Sequence, residues 1–162
     1  MKKLITYLVN LSITSGIVPH DKKIAKVCPI FKKNSRLETG NYRPVSILVV
    51  ISRILEKSVY IQFEKYLVDN KLLYNFQSGF RAAHSTDTCL IHLLDHIKTQ
   101  SSKELYTGMI MLDLQKAFYT VNHYILCSKL QTMAVKSTKW FESYLTDRKQ
   151  KVSVNGTESN FF

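Results

Sequence analysis

The feature that most constrains this chain is a stripe. Leu48, Ile51, Leu55, Val59, Phe63 and Leu67 recur at steps of three or four residues, with Arg53, Glu56, Lys57 and Lys65 between them. That spacing gathers apolar side chains on one face of an α-helix and leaves polar ones on the other. The helix begins after Pro44 and runs to about Asn70. At the rise of an α-helix it is roughly 40 Å long, so other elements must pack along it. The chain has 162 residues, enough for one domain and too few to expect two. With 45% hydrophobic and 11% aromatic residues the composition is globular and not disordered.

Shorter elements flank the stripe. Residues 4–15 make a first helix, closed by Gly16 and a turn at Pro19. "KKIAKVCPIFKK" interleaves Lys22, Lys26 and Lys32 with Ile24, Val27 and Ile30, and its β-branched content favours a strand. "NSRLETGNYRP" and "NFQSGFRAAHST" are loops by their Asn, Gly and Pro content. After the second, Ser85 or Thr86 caps a helix carrying Leu90, Leu93, Leu94 and Ile97. "ELYTGMIMLDL" reads as a buried strand, because Met109 to Leu112 is continuously apolar. Two helices follow, one with Leu126, Leu130 and Met133, the other from Ser137 with Trp140, Phe141, Tyr144 and Leu145. After a turn at Asp147–Arg148, "KVSVNG" alternates and ends in Asn-Gly, a hairpin signal. Six residues follow Gly156, so the last strand is expected to lack all or part of its partner.

Charge narrows the function. Lys and Arg number 23 against 12 Asp and Glu, a formal charge of +11. Such a field favours a polyanion, and nucleic acid is preferred over an anionic membrane or a surface that is basic only for solubility. No run approaches the roughly 20 apolar residues that span a bilayer. "MKKLITYLVNL" lacks a convincing cleavage site and reads as a helix, not an address. Cys28, Cys89 and Cys127 are far apart and odd in number, which fits reduced thiols in a cytoplasmic or nuclear protein.

Asp113 is the residue that asks for chemistry. A carboxylate at the C-terminal end of a central strand stands where α/β and α+β folds place ligands, and a divalent cation such as Mg²⁺ would use it. It could equally cap the turn around Gln115 and Lys116. Phe118 taken alone reads as core. Lys32, Lys33 and Arg43 read either as a solvated basic face or as phosphate contacts, and Arg43 suits phosphate best through its guanidinium fork. His84, His92 and His96 suggest no metal cluster, since no further ligand stands at a suitable spacing.

The segments "PIFKK", "NYRPVSIL", "ISRILEK", "FQSGFRAAHST", "LDLQKAF" and "WFESYLTDRKQKVSVNG" occur in one order without long gaps. This succession resembles the reverse transcriptase domain of non-LTR retrotransposons, the jockey-like and other LINE-type elements, from about Ile17 onward. The resemblance implies an α+β right-hand polymerase, helix-rich with a small mostly antiparallel sheet. It implies fingers and adjoining helices over about 17–104 and an incomplete palm over about 105–162. It further implies RNA-directed DNA synthesis on an RNA template and DNA primer from deoxynucleoside triphosphates. Asp113 would be one of three carboxylates holding two Mg²⁺ ions, with the Leu114 carbonyl as a further ligand. Phe118 would lie beneath the incoming sugar and reject a 2′-hydroxyl. Lys32, Lys33 and Arg43 would face the triphosphate or template, and Gln77, Gly79, Phe80 and Arg81 the template.

Several positions depart from that family's pattern. Tyr119 stands where an Asp usually follows the motif Phe, Lys22 where a Trp is usual, and Val49 and Val50 where small polar residues are common. The glycine loop and paired Asp residues that would complete the metal site do not occur in the 162 residues. The expectation is therefore a chain inactive by itself that binds Mg²⁺ weakly. The alternative is a non-catalytic remnant that still binds nucleic acid through its basic fingers.

Overall fold

Each helix that the periodicity asks for is formed, but the longest starts at Val50 and not directly after Pro44, which leaves Leu48 of the stripe outside it. The computed structural model describes residues 2–161 apart from 115 and 116. Its elements, in order, are α1 (Lys2–Ser15), β1 (Ile24–Phe31), β2 (Tyr42–Ile47), α2 (Val50–Asp69), α3 (Thr86–Ser101), α4 (His123–Thr132), α5 (Thr138–Leu145), β3 (Lys149–Val154) and β4 (Thr157–Glu158). Single 3-10 turns lie at His20–Lys22, Thr39–Asn41 and Ala117–Tyr119. The fold is α+β and helix-rich. The chain divides into two compact units, one of residues 1–64 with 122–162 and the other of residues 65–121.

In the first unit a four-stranded sheet runs in the order β2-β1-β3-β4. β1 pairs antiparallel with β2 and parallel with β3, and β3 pairs antiparallel with β4. The sheet is thus mostly antiparallel, with one parallel pair at its centre. "YRP", read as loop, is instead the start of β2, which accommodates proline because it is an edge strand. Pro29 and Pro44 face each other across the β1–β2 ladder. The Lys32 N–H donates to the Asn41 carbonyl at 2.9 Å, so by antiparallel alternation the two prolines occupy a non-hydrogen-bonded pair, where neither needs an N–H toward the other. On the far side of β1 the parallel ladder has already ended at Val27–Val152. At the β3–β4 turn Asn155 and Gly156 both have positive φ, 48° and 84°, as a two-residue type I′ hairpin requires. β4 closes that hairpin over two residues.

The core of this unit gathers Val9, Val18, Leu55 and Trp140, with Ile5, Ile13, Ile54, Val59, Phe141 and Tyr144 packed around them. Trp140 is 3% exposed, and burying a side chain of its size contributes roughly 5 kcal/mol before entropy is counted. Its indole N–H donates to the Ser12 hydroxyl at 3.1 Å, and that hydroxyl donates to the Ile17 carbonyl at 2.6 Å. α1 is thereby tied to α5 by polar contacts that the buried atoms would otherwise lack. Gly16 ends α1 at φ 69°, and a Cβ there would approach Lys139 Cβ to 3.2 Å. On the stripe of α2, Leu55 is buried and Val59 and Phe63 are half-buried, while Ile51 remains exposed.

The second unit contains α3 and long connecting segments. Ser85 is the N-cap of α3: its hydroxyl accepts from the Thr88 N–H, and the Thr88 hydroxyl accepts from the Ser85 N–H. The helix therefore starts where its cap residue requires. None of its described residues is buried, and Leu90 and Leu94 are exposed. The run from Met109 to Leu114, expected as a buried strand, is neither strand nor buried: residues 105–114 have no regular secondary structure and all are exposed. An apolar run becomes a central strand only when neighbours satisfy its backbone on both edges. Among the described residues no strand pairs with it.

Candidate functional site

In the first unit, Lys32, Lys33 and Arg43 belong to the β1–β2 hairpin. Lys32 and Lys33 follow β1 directly, Arg43 lies on β2 opposite Ile30, and all three are exposed. Behind them the Phe31 and Tyr42 rings meet edge-on at 5.5 Å. The guanidinium of Arg36 lies over the Phe31 ring at 5.0 Å, and the Tyr42 hydroxyl donates to the Arg36 carbonyl at 2.9 Å. Arg36 is a cation that sequence reasoning did not single out. Its only signal is its place within a basic loop, because the register that brings it over Phe31 is not visible in the spacing. The hairpin end combines ammonium groups with guanidinium forks, a mixture suited to phosphate oxygens.

Two other lysines of this unit are already engaged. Glu158 pairs with Lys26 at 2.9 Å and also with Lys151. The hydrogen bond from Lys151, then that from Lys26, holds the Glu158 carboxyl below the usual range, and the bond to Glu158 raises Lys26.

In the second unit the residues of "QSGFR" form a cross-braced loop. The Gln77 N–H donates to the Tyr74 carbonyl at 3.0 Å, and the Gln77 side-chain amide to the Gly79 carbonyl at 3.0 Å. The Arg81 guanidinium donates to the carbonyls of Tyr74 and Asn75, each at 3.3 Å. A Cβ on Gly79 would meet nothing within 4 Å, so the space beside it is open. Phe80 is 87% exposed with φ 57°, a backbone that costs a bulky residue about 1–3 kcal/mol.

The structure brings Phe80 and Phe118 together: their rings stand 6.0 Å apart and nearly perpendicular, at 88°. Phe118 is 79% exposed, so it is not core. Asp113 and Leu114 are exposed in the irregular segment before it, not at the end of a strand. The turn at Gln115 and Lys116 that Asp113 could cap lies outside the described residues. Among the described residues no three His, Cys, Asp or Glu side chains could together hold a metal ion. One carboxylate and one carbonyl fall short of the donors of a two-metal centre, so these residues do not fit one by themselves. His92 and His96 are exposed and His84 is half-buried. The two units carry the candidate residues separately: the basic hairpin belongs to one, and Asp113, Phe118 and the Gln77–Arg81 loop to the other.

Comparison with known proteins gives the family of the chain. Residues 30–162 match the family described as reverse transcriptase (RNA-dependent DNA polymerase). The chain is 28% identical over 154 residues to a probable RNA-directed DNA polymerase from transposon BS of Drosophila melanogaster, covering 94% of this chain and 17% of that protein. It is 29% identical over 161 residues to the corresponding X-element polymerase of the same fly, covering 96% and 18%. With the RNA-directed DNA polymerase from mobile element jockey of Drosophila funebris it shares 27% over 159 residues, covering 95% and 17%. The chain thus spans less than a fifth of the curated relatives it matches, and nearly all of its own length takes part in these three matches. It belongs to the reverse transcriptase family, as a partial domain of the non-LTR retrotransposon kind.

Proposed function

We propose that this chain supplies the fingers and leading palm of an RNA-directed DNA polymerase, acting in its parent protein on an RNA template, a DNA primer and deoxynucleoside triphosphates. The family match over residues 30–162 carries the reading. Fingers then occupy about 17–104 and the partial palm about 105–162. Lys32, Lys33 and Arg43 contact phosphate, Gln77, Gly79, Phe80 and Arg81 form the template loop, and Phe118 lies under the incoming sugar. Family membership implies a divalent metal in general, and we take it to be Mg²⁺, with Asp113 and the Leu114 carbonyl as two of its ligands. The remaining carboxylates belong to the rest of the parent protein, and no chemical step is assigned to the donors of this segment alone.

A second reading is favoured by the donor set: with no metal-holding group of three among the described residues, the segment by itself binds nucleic acid without turnover. Primer extension on an RNA template by the longer polypeptide that contains the segment separates the two. Under the first reading Asp113→Asn lowers synthesis about a thousandfold or more, the scale expected when metal-borne charge stabilisation is lost, and RNA binding persists. Synthesis that survives Asp113→Asn would sink the metal-ligand assignment.

A further inference from the structure

Phe80 combines two unfavourable states. Its backbone is left-handed, and its ring is 87% exposed, so the fold gains neither relaxed geometry nor burial from it. The neighbouring polar side chains hold this arrangement. Gln77 reaches over to the Gly79 carbonyl, and Arg81 turns back to the carbonyls of Tyr74 and Asn75. The backbone closes around them with His84 N–H on the Arg81 carbonyl at 3.3 Å, and Ala83 is also left-handed, at φ 59°. Phe118 stands perpendicular to the ring at 6.0 Å and leaves it largely exposed.

We propose that Phe80 is a stacking surface for an unpaired base of single-stranded RNA, and that Gln77 and Arg81 are positioning residues which hold the ring outward. The proposal rests on the nucleic-acid reading above and deepens it. An apolar ring face in a chain of charge +11 suits a polyanion that carries flat π-faces, and such stacking tolerates any base. Arg81 acts here through the loop it fastens, so its main effect is on the ring and not on a phosphate.

The test uses this chain and a short single-stranded RNA containing one 5-iodouridine, which crosslinks under light to an aromatic ring stacked on it. The expected adduct, mapped by mass spectrometry, is on Phe80. Phe80→Leu removes the adduct and weakens binding about tenfold, with the salt dependence of affinity unchanged because no phosphate contact is lost. Phe80→Tyr keeps both adduct and affinity. Gln77→Ala and Arg81→Ala lower the adduct yield at Phe80 and leave the salt slope as it was. An adduct elsewhere, or one that survives Phe80→Leu, overturns the proposal. A salt slope reduced by about one in Arg81→Ala marks a phosphate contact and overturns its positioning role. Free 5-iodouridine triphosphate that labels Phe80 when the oligomer does not would replace the strand with an incoming nucleotide. A wild-type chain that binds no RNA would bring down the functional reading itself, whereas binding without the Phe80 adduct overturns stacking alone.

Discussion

Tyr144 shows how much one side chain of α5 carries. Its ring stacks on Trp140 at 5.2 Å with the planes 10° apart, the Arg148 guanidinium covers it at 4.5 Å, and its hydroxyl donates to Glu56 Oε1 at 2.6 Å. Burial, then the bond to Glu56, pushes the phenol up to about 12. A group whose pKa rises on folding holds its proton more tightly in the folded state, so its contribution is complete below the unfolded value near 10 and is lost as pH climbs toward 12. Stability from urea unfolding should therefore be insensitive to this group up to about pH 9.5 and decline from about pH 10 to 12 by on the order of 1 kcal/mol, less than the full linkage value because the ring edge is wetted. Tyr144→Phe should cost about 1 kcal/mol at neutral pH through the lost hydrogen bond and should flatten that part of the alkaline decline. An unchanged slope in the variant would remove Tyr144 as its cause. Little of this is visible in the sequence, where Trp140, Phe141, Tyr144 and Leu145 announce an apolar face but nothing announces Glu56, 88 residues away in sequence.

At the scale of elements, legibility follows the range of the interactions involved. α2, α3, α4 and α5 were readable because a helix satisfies its backbone within itself and shows its buried face every three or four residues. The Asn-Gly hairpin was readable for the same local reason. The segment 109–114 misled because an apolar run states a preference for burial, while a strand needs a partner that the run does not encode. β2 was hidden by Pro44, whose usual meaning as a strand breaker fails at an edge and opposite another proline. The candidate residues divide likewise: family motifs single out Phe80, Phe118 and the basic hairpin as candidates, while Arg36 on Phe31 and the bracing of Phe80 by Gln77 and Arg81 emerge only from the folded loops. α3 offers a test of local determination, since none of its described residues is buried and its start rests on the Ser85–Thr88 capping box. Ser85→Ala should therefore destabilise that helix by about 1 kcal/mol, read as roughly fivefold faster amide exchange in its first turns. Unchanged exchange there would mean that contacts other than the cap hold the helix.

For the whole molecule the decisive quantity is where the excess positive charge is free to act. The net charge of +11 treats every lysine alike, and the structure does not. Lys26 and Lys151 share Glu158, and Lys65 is paired with Asp69 at 2.8 Å, so part of each field is cancelled at short range. Lys32, Lys33 and Arg43 form none of the ion pairs found among the described residues and lie exposed on one hairpin. If RNA binds there, each phosphate contact releases condensed counterions, and the slope of log affinity against log salt counts those contacts. Replacing Lys32, Lys33 or Arg43 by Ala should each reduce the slope by about one and weaken binding to all sequences alike. Replacing Lys26 by Ala should leave the slope nearly unchanged, because the charge removed was facing Glu158 and not phosphate. Titrations of one RNA across a salt series decide the matter. Equal slope losses at Lys26 and Lys32 would mean that net charge alone draws the polyanion, and unequal losses in the stated order would place the phosphate track on the β1–β2 hairpin.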